Sequence, residues 1–189
     1  MRVIAGSARG RRLSTLPGEE VTRPTVERVK EGMFSALQFL LPGARVLDLF
    51  AGSGQLGIEA LSRGAAHCTF IDQDRAAAQL VLQNCRTAGL QGAARVVQTE
   101  ARAFLARTAE RYHIILLDPP YRQGTLAAVL PLVERVTAPG GIVLCESELE
   151  AELPDGCGDL KKKKQYRYGT VLVTRYEKAR AALEGENEE

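Results

Sequence analysis

Between residues 45 and 145, short apolar runs alternate with segments of helical spacing, and this alternation restricts the fold more than any other feature of the chain. Arg45-Val46-Leu47-Asp48-Leu49 reads as a buried strand, residues 55–63 as a helix, 68–71 as a strand and 74–88 as a helix. Strand 94–98, helix 101–109, strand 113–117, helix 126–136 and strand 141–145 follow. Strands that alternate with helices of this length form a parallel sheet covered on both faces. The two ends break the pattern. Residues 160–167 and 170–176, around Tyr168-Gly169, read as a hairpin, which makes at least one late strand antiparallel. Val3-Ile4-Ala5 and Arg12-Leu13-Ser14 look like two short strands about a Gly/Arg-rich turn. The spacing of Val26, Val29, Met33, Phe34, Leu37 and Leu41 predicts a helix over 25–40, ended by Pro42-Gly43.

A chain of 189 residues suits one domain, or one domain with a small appendage. No stretch resembles a membrane span, and the start Met1-Arg2-Val3-Ile4-Ala5-Gly6 lacks the apolar run of a secretory signal, so a cytoplasmic protein is expected. Cys68, Cys85, Cys145 and Cys157 are widely spaced without a C-x-x-C pair, as free thiols in a reducing compartment would be. With His67 and His113 the only histidines, histidine-based metal or triad chemistry is not expected, and no metal site is assigned. Charge is uneven. Residues 1–30 carry Arg2, Arg9, Arg11, Arg12, Arg23, Arg28 and Lys30 against Glu19, Glu20 and Glu27, whereas residues 177–189 hold five glutamates against Lys178 and Arg180. A nucleic-acid partner could use that polarity, though a solvated surface would look similar.

In open α/β sheets, ligands bind beyond the carboxyl ends of the strands, where the strand order reverses. Asp48, Asp72 and Asp118 all fall at such ends. Asp48 precedes Phe50-Ala51-Gly52-Ser53-Gly54-Gln55-Leu56-Gly57, which contains G-x-G-x-x-G, and Asp72 lies about 20 residues beyond Gly52, where a ribose-binding carboxylate is expected. A dinucleotide would fit that fingerprint. However, the negative charge of Asp48 beside the glycine loop would repel a pyrophosphate. S-adenosyl-L-methionine has no phosphate, and its α-ammonium can be bound by a nearby carboxylate directly or through water. The chain also lacks obvious hydride-transfer machinery and a second large domain, so the methyl donor is the preferred ligand.

Asp118-Pro119-Pro120-Tyr121 follows the apolar run Ile114-Ile115-Leu116-Leu117. Two successive prolines leave carbonyl acceptors without neighbouring N–H donors, and the aspartate adds more acceptors. A base amino group is a pure donor, so this combination suits it, and Tyr121 offers a flat face for an unstacked base. A plain strand-ending turn is the alternative for an isolated tetrapeptide.

Asp48-Leu49-Phe50-Ala51-Gly52-Ser53-Gly54 with Asp118-Pro119-Pro120-Tyr121 resembles the class I S-adenosylmethionine-dependent methyltransferases that act on amino groups. Met1 to Gly6, Arg9-Gly10-Arg11 and Arg23-Pro24-Thr25-x-x-Arg28-Val29-x-Glu31 narrow the likeness to the bacterial 16S ribosomal RNA guanine-N2 methyltransferase family, over nearly the whole chain through Tyr168-Gly169-Thr170. The resemblance implies a Rossmann-like class I methyltransferase fold: a mostly parallel seven-stranded sheet with helices on both faces, an antiparallel C-terminal hairpin and a small N-terminal β-hairpin plus helix extension. It divides the chain into an extension (1–42), a methyltransferase domain (43–178) and an acidic tail expected to be disordered (179–189). It implies that Asp48, Gly52 and Gly54 hold the methionine end of the cofactor, that Ala51 and Ser53 belong to the same cofactor-binding loop and that Asp72 binds the ribose. Members often have glutamate in place of Asp72. Glu100 and Ala101 stand where the family usually has Asp-Ala beside the adenine, and Glu100 could equally be a helix-capping carboxylate.

The resemblance further implies that Asp118, Pro119, Pro120 and Tyr121 hold the guanine amine in 16S rRNA, expected within an assembled or partly assembled small subunit, with naked RNA the alternative; a monomer is the default expectation. Arg9, Arg11 and Arg12 on the turn, Arg23 and Arg28 about the first helix and Arg122 beside the tetrapeptide are candidate phosphate contacts. The run Lys161, Lys162, Lys163 and Lys164 with Tyr166 and Tyr168 could bind RNA or protect a sheet edge from pairing. An adenine-N6 methyltransferase on DNA or RNA would use the same acceptors, and a non-catalytic ribosome-binding module is the third reading.

Overall fold

The computed structural model describes residues 1–16, 24–120 and 124–180, with the backbone alone for residues 24–26. Arg23, Tyr121, Arg122 and most of the acidic tail lie outside the described residues. Eight strands form a single sheet: β1 (Arg45–Asp48), β2 (His67–Asp72), β3 (Ala94–Gln98), β4 (Tyr112–Leu117), β5 (Thr137–Glu148), β6 (Gly156–Cys157), β7 (Leu160–Tyr168) and β8 (Val171–Lys178). Their order is β3-β2-β1-β4-β5-β8-β7-β6. Pairing is parallel from β3 to β5 and antiparallel beyond it. The eighth strand, where seven were expected, is the two-residue β6 pairing with β7 at the edge. The order reverses between β1 and β4, so Asp48 and Asp118, at the ends of those two strands, flank the switch point.

Among the described residues the α-helices are α1 (Pro24–Ser35), α2 (Gln55–Ser62), α3 (Arg75–Ala88), α4 (Ala101–Arg107) and α5 (Thr125–Val136). Two apolar clusters cover the sheet. One packs α1, α2 and α3 around Phe34, Leu37, Ile58, Phe70 and Val81; the other packs α4 and α5 around Leu47, Leu105, Ile115 and Val133. Alternate residues of each central strand feed opposite clusters: Val46 with one and Leu47 with the other, Ile114 with one and Ile115 with the other.

Two expectations need correction. The helix predicted over 25–40 ends at Ser35, and residues 36–40 run on as turns with Leu37 N–H donating to the Phe34 carbonyl and Leu40 N–H to that of Leu37. The apolar spacing persisted because Leu37 and Leu41 are buried despite the change in winding. The N-terminal hairpin is one bridge, Arg2 to Arg12, flanked by the bonds Val3 N–H to Arg11 O (3.0 Å) and Leu13 N–H to Met1 O (2.9 Å). Its remaining hold is on α2. The Glu59 carboxylate, wholly buried, accepts the N–H groups of Ile4 (2.8 Å) and Ala5 (3.0 Å), and the Ser62 hydroxyl donates to Ala5 O (2.6 Å). The Glu59 charge is matched by Arg63 at 2.7 Å and by buried Lys30 at 3.5 Å, whose pKa burial pushes down.

Candidate active site

The loop after β1 is built for close packing. Gly54 opens α2 with φ +79° and a Val81 methyl 3.1 Å from where a Cβ would sit; having no side chain, it cannot cap the helix. Asp48 caps from the neighbouring strand instead. Its Oδ2 accepts the Gly57 N–H at 2.9 Å, one of the orphan donors of the first turn. Gly57 itself lets α2 lie on β2, since a Cβ there would fall 2.2 Å from the Phe70 ring and 2.7 Å from Cys68 Sγ.

At the carboxyl ends of β1 to β4 lies a cleft of about 780 Å³. Its walls include Gly52 and Phe50 after β1, Asp72 and Gln73 after β2, Thr99 and Glu100 after β3, and Asp118, Pro119 and Pro120 after β4. Asp72 locks two loops: Oδ2 accepts the Gly52 N–H at 2.9 Å and Oδ1 the Asp74 N–H at 2.9 Å. A carboxylate has about four acceptor positions, so two remain for hydroxyl groups of a ligand. Gly52 has φ +52° and no atom within 4 Å of a would-be Cβ, which leaves open cradle space on the cleft side. Glu100 lines the cleft and also caps α4, accepting from Arg102 N–H (3.1 Å) and Ala103 N–H (3.0 Å). Both readings of that residue are therefore compatible in one conformation.

The expected residues do not all meet. Gly52, Asp72, Glu100, Ala101, Asp118, Pro119 and Pro120 share the cleft. The Asp48 carboxylate, expected at the methionine end of the cofactor, faces Gly57 and is shut off from the cleft, with a pKa pushed up by burial to about 7. Ala51, Ser53 and Gly54 shape the loop beneath rather than line the opening. Arg9, Arg11, Arg12 and Arg28 are exposed. Leu16, Thr99 and Thr125 also line the cleft, and no motif in the sequence marked them. The lysine run lies in β7, with Lys162 paired to Asp155 at 2.8 Å and Lys164 stacked over Tyr166.

A polar cleft at the switch point, with acceptors just after β4 and a carboxylate with open acceptor positions at the end of β2, fits S-adenosylmethionine: the buried Asp48 carboxylate already takes one N–H of the helix N-terminus that a pyrophosphate would need. Fold and site together define a class I S-adenosylmethionine-dependent methyltransferase. Residues 1–177 match the family model described as Conserved hypothetical protein 95, and the chain belongs to that family. It is 43% identical over 183 residues to YlbH of Bacillus subtilis (strain 168), across 94% of this chain and 99% of that protein. It is 42% identical over 156 residues to Ribosomal RNA small subunit methyltransferase D of Escherichia coli (strain K12), across 82% of this chain and 78% of that one. The solved structure of yhhF from Escherichia coli matches with a TM-score of 0.83 at 38% identity, covering 95% of this chain and 98% of the other.

Proposed function

We propose that the protein methylates the exocyclic N2 amine of a guanine in 16S ribosomal RNA, in the cytoplasm, with residues 43–178 as the catalytic unit and 1–42 as an RNA-facing extension. The observation that carries this reading is the shared cleft: the acceptor set of Asp118 and Pro119 opens onto the space that Gly52 and Asp72 border. The relatives named for small-subunit ribosomal RNA support the substrate.

When bound, S-adenosylmethionine supplies an activated sulfonium methyl group. Gly52 and the loop beneath it would hold the amino-acid end, Asp72 the ribose and Ala101 the adenine. Asp118 and the Pro119 carbonyl accept the two N–H bonds of the amine, orient its lone pair and stabilise positive charge as it develops on nitrogen. Asp118 or water then takes the proton. Tyr121 would support the base, and Arg9, Arg11, Arg12, Arg23, Arg28 and Arg122 would hold phosphates.

A second cavity, about 130 Å³, shares Pro119 and Pro120 and is bordered by Leu126, Leu153, Glu146 and Glu148. Beside its amine guanine carries a further donor, N1–H, which suits such an acidic border, whereas adenine presents an acceptor at N1. That favours guanine over the adenine reading. The test is incubation with labelled S-adenosylmethionine and naked ribosomal RNA, small subunits or DNA, followed by nucleoside identification. N2-methylguanine from RNA or subunits is expected; N6-methyladenine, or no transfer to any of the three, would refute the proposal.

A further inference from the structure

One buried carboxamide joins two distant stretches of chain at the cofactor cleft. Asn84, on α3, is 1% exposed. Its Nδ2 donates to the Ser53 carbonyl at 2.8 Å and to the Ser14 carbonyl at 3.0 Å, and its Oδ1 accepts the Ser14 N–H at 2.9 Å. Both donor hydrogens and an acceptor position of the amide are thus committed. Toward Ser14 the side chain behaves as a neighbouring strand would, taking N–H and C=O of a single residue. Toward Ser53 it grips the glycine loop, between Gly52 in the cleft wall and Gly54 at the start of α2.

The segment held through Ser14 reaches the cleft shortly afterwards, where Leu16 forms part of the lining. Farther back, its anchors are Glu59 and Ser62 on α2, neither of which lines the cleft. Asn84 therefore sets the spacing between the arriving segment and the loop.

We propose that Asn84 is a positioning residue for the methyl-donor site: it fixes the N-terminal segment against the glycine loop so that Leu16 walls the cleft, and cofactor affinity depends on that wall. This rests on the methyl-donor reading of the cleft. An amide replaced by alanine leaves the Ser14 N–H and two carbonyls without their partner, which frees the segment to move. The loss belongs to ground-state binding and appears in KM for S-adenosylmethionine rather than in kcat.

The test is calorimetric titration of S-adenosylhomocysteine into the wild type, Asn84→Ala, Leu16→Ala and the double variant, with circular dichroism to verify folding. Each single change is expected to weaken binding about tenfold, and the double variant to bind no more weakly than Asn84→Ala, because the two act through one wall. Wild-type affinity in either single variant would overturn the proposal, as would penalties that multiply in the double variant. Should Asn84→Ala not fold, Leu16→Ala decides alone, since its half-exposed side chain is not required by the core. If the wild type itself fails to bind S-adenosylhomocysteine, the cofactor reading has failed and not the role of Asn84.

Discussion

Asp48 Oδ2 accepts the Gly57 N–H at 2.9 Å, so a carboxylate at the end of β1 completes the first turn of a helix whose own N-cap has no side chain. The group is 1% exposed, and burial pushes its pKa up from 3.8 to about 7, with the Asp72 charge adding to the rise and the Gly57 bond opposing it. A raised carboxyl pKa means that the folded protein holds its proton longer than the unfolded chain does. The associated stability is complete below about pH 4 and is lost as pH rises through about 7, a change on the order of 4 kcal/mol. Asp48→Asn keeps an acceptor for Gly57 and removes the titration. Its melting temperature should fall less than that of the wild type across this window; parallel curves would count against the assignment.

Replacing Asp118 with alanine should abolish detectable methyl transfer to small-subunit RNA and leave S-adenosylhomocysteine affinity within about twofold of the wild type, since the change removes an interaction with the transition state and leaves those with the cofactor in place. Calorimetry alongside a transfer assay separates the two effects. Robust turnover would remove Asp118 from the reaction.

Gly57→Ala sets a small gain against a larger cost. Alanine improves helix propensity by about 1 kcal/mol. Its methyl group, however, would fall 2.2 Å from Phe70 Cε1 and 2.7 Å from Cys68 Sγ, inside a filled core. Overpacking of that kind costs about 1–3 kcal/mol, so a net loss in urea denaturation is expected.

Glu59→Ala should be far more damaging than Lys30→Met. The first leaves the Ile4 and Ala5 N–H groups without their acceptor and strands buried Lys30, at a cost of about 3–5 kcal/mol. The second leaves Glu59 with Arg63 and both backbone donors, and less than about half that cost is expected. Denaturant midpoints of the two variants give the ranking directly.

Arg9, Arg11 and Arg12 are exposed on one turn. Changing all three to glutamate should weaken RNA binding and flatten its dependence on log salt by about one unit for each phosphate that the turn no longer neutralises. Filter binding at several salt concentrations measures the slope. An unchanged slope would assign these arginines to an ordinary solvated face.

The central strands were legible in the sequence because runs such as Ile114-Ile115-Leu116-Leu117 are buried on both faces and leave little alternative, and β3 has the boundaries expected of it. The β5 strand is longer than 141–145 because Thr137 already pairs with Tyr112 before a bulge, while Pro139-Gly140-Gly141 reads as a turn. Its far end is polar, yet Glu146 and Glu148 pair with Val173 and Val171. In the cleft, Gly52, Asp72 and Asp118 could be found because their position after a strand is a property of the local sequence. The direction of the Asp48 carboxylate could not, since it depends on where Gly57 places its N–H. Nor could Leu16 or Asn84, which come together only when residues far apart in the chain are folded against each other.

The residues that anchor the N-terminal segment have a consequence for the order of assembly. Ile4 and Ala5 wait for Glu59, and Ser14 waits for Asn84, partners 55, 54 and 70 residues later in the chain. During synthesis, which proceeds from the N-terminus at roughly 5–20 residues per second, the first stretch to emerge has nothing to dock on for several seconds. Yet Glu59 and Asn84 both precede β3, so the segment finds every anchor before six of the eight strands are made. The wall of the cleft that Leu16 supplies can therefore settle early, and the pocket for the methyl donor is closed from the other side only when Asp118 to Pro120 arrive.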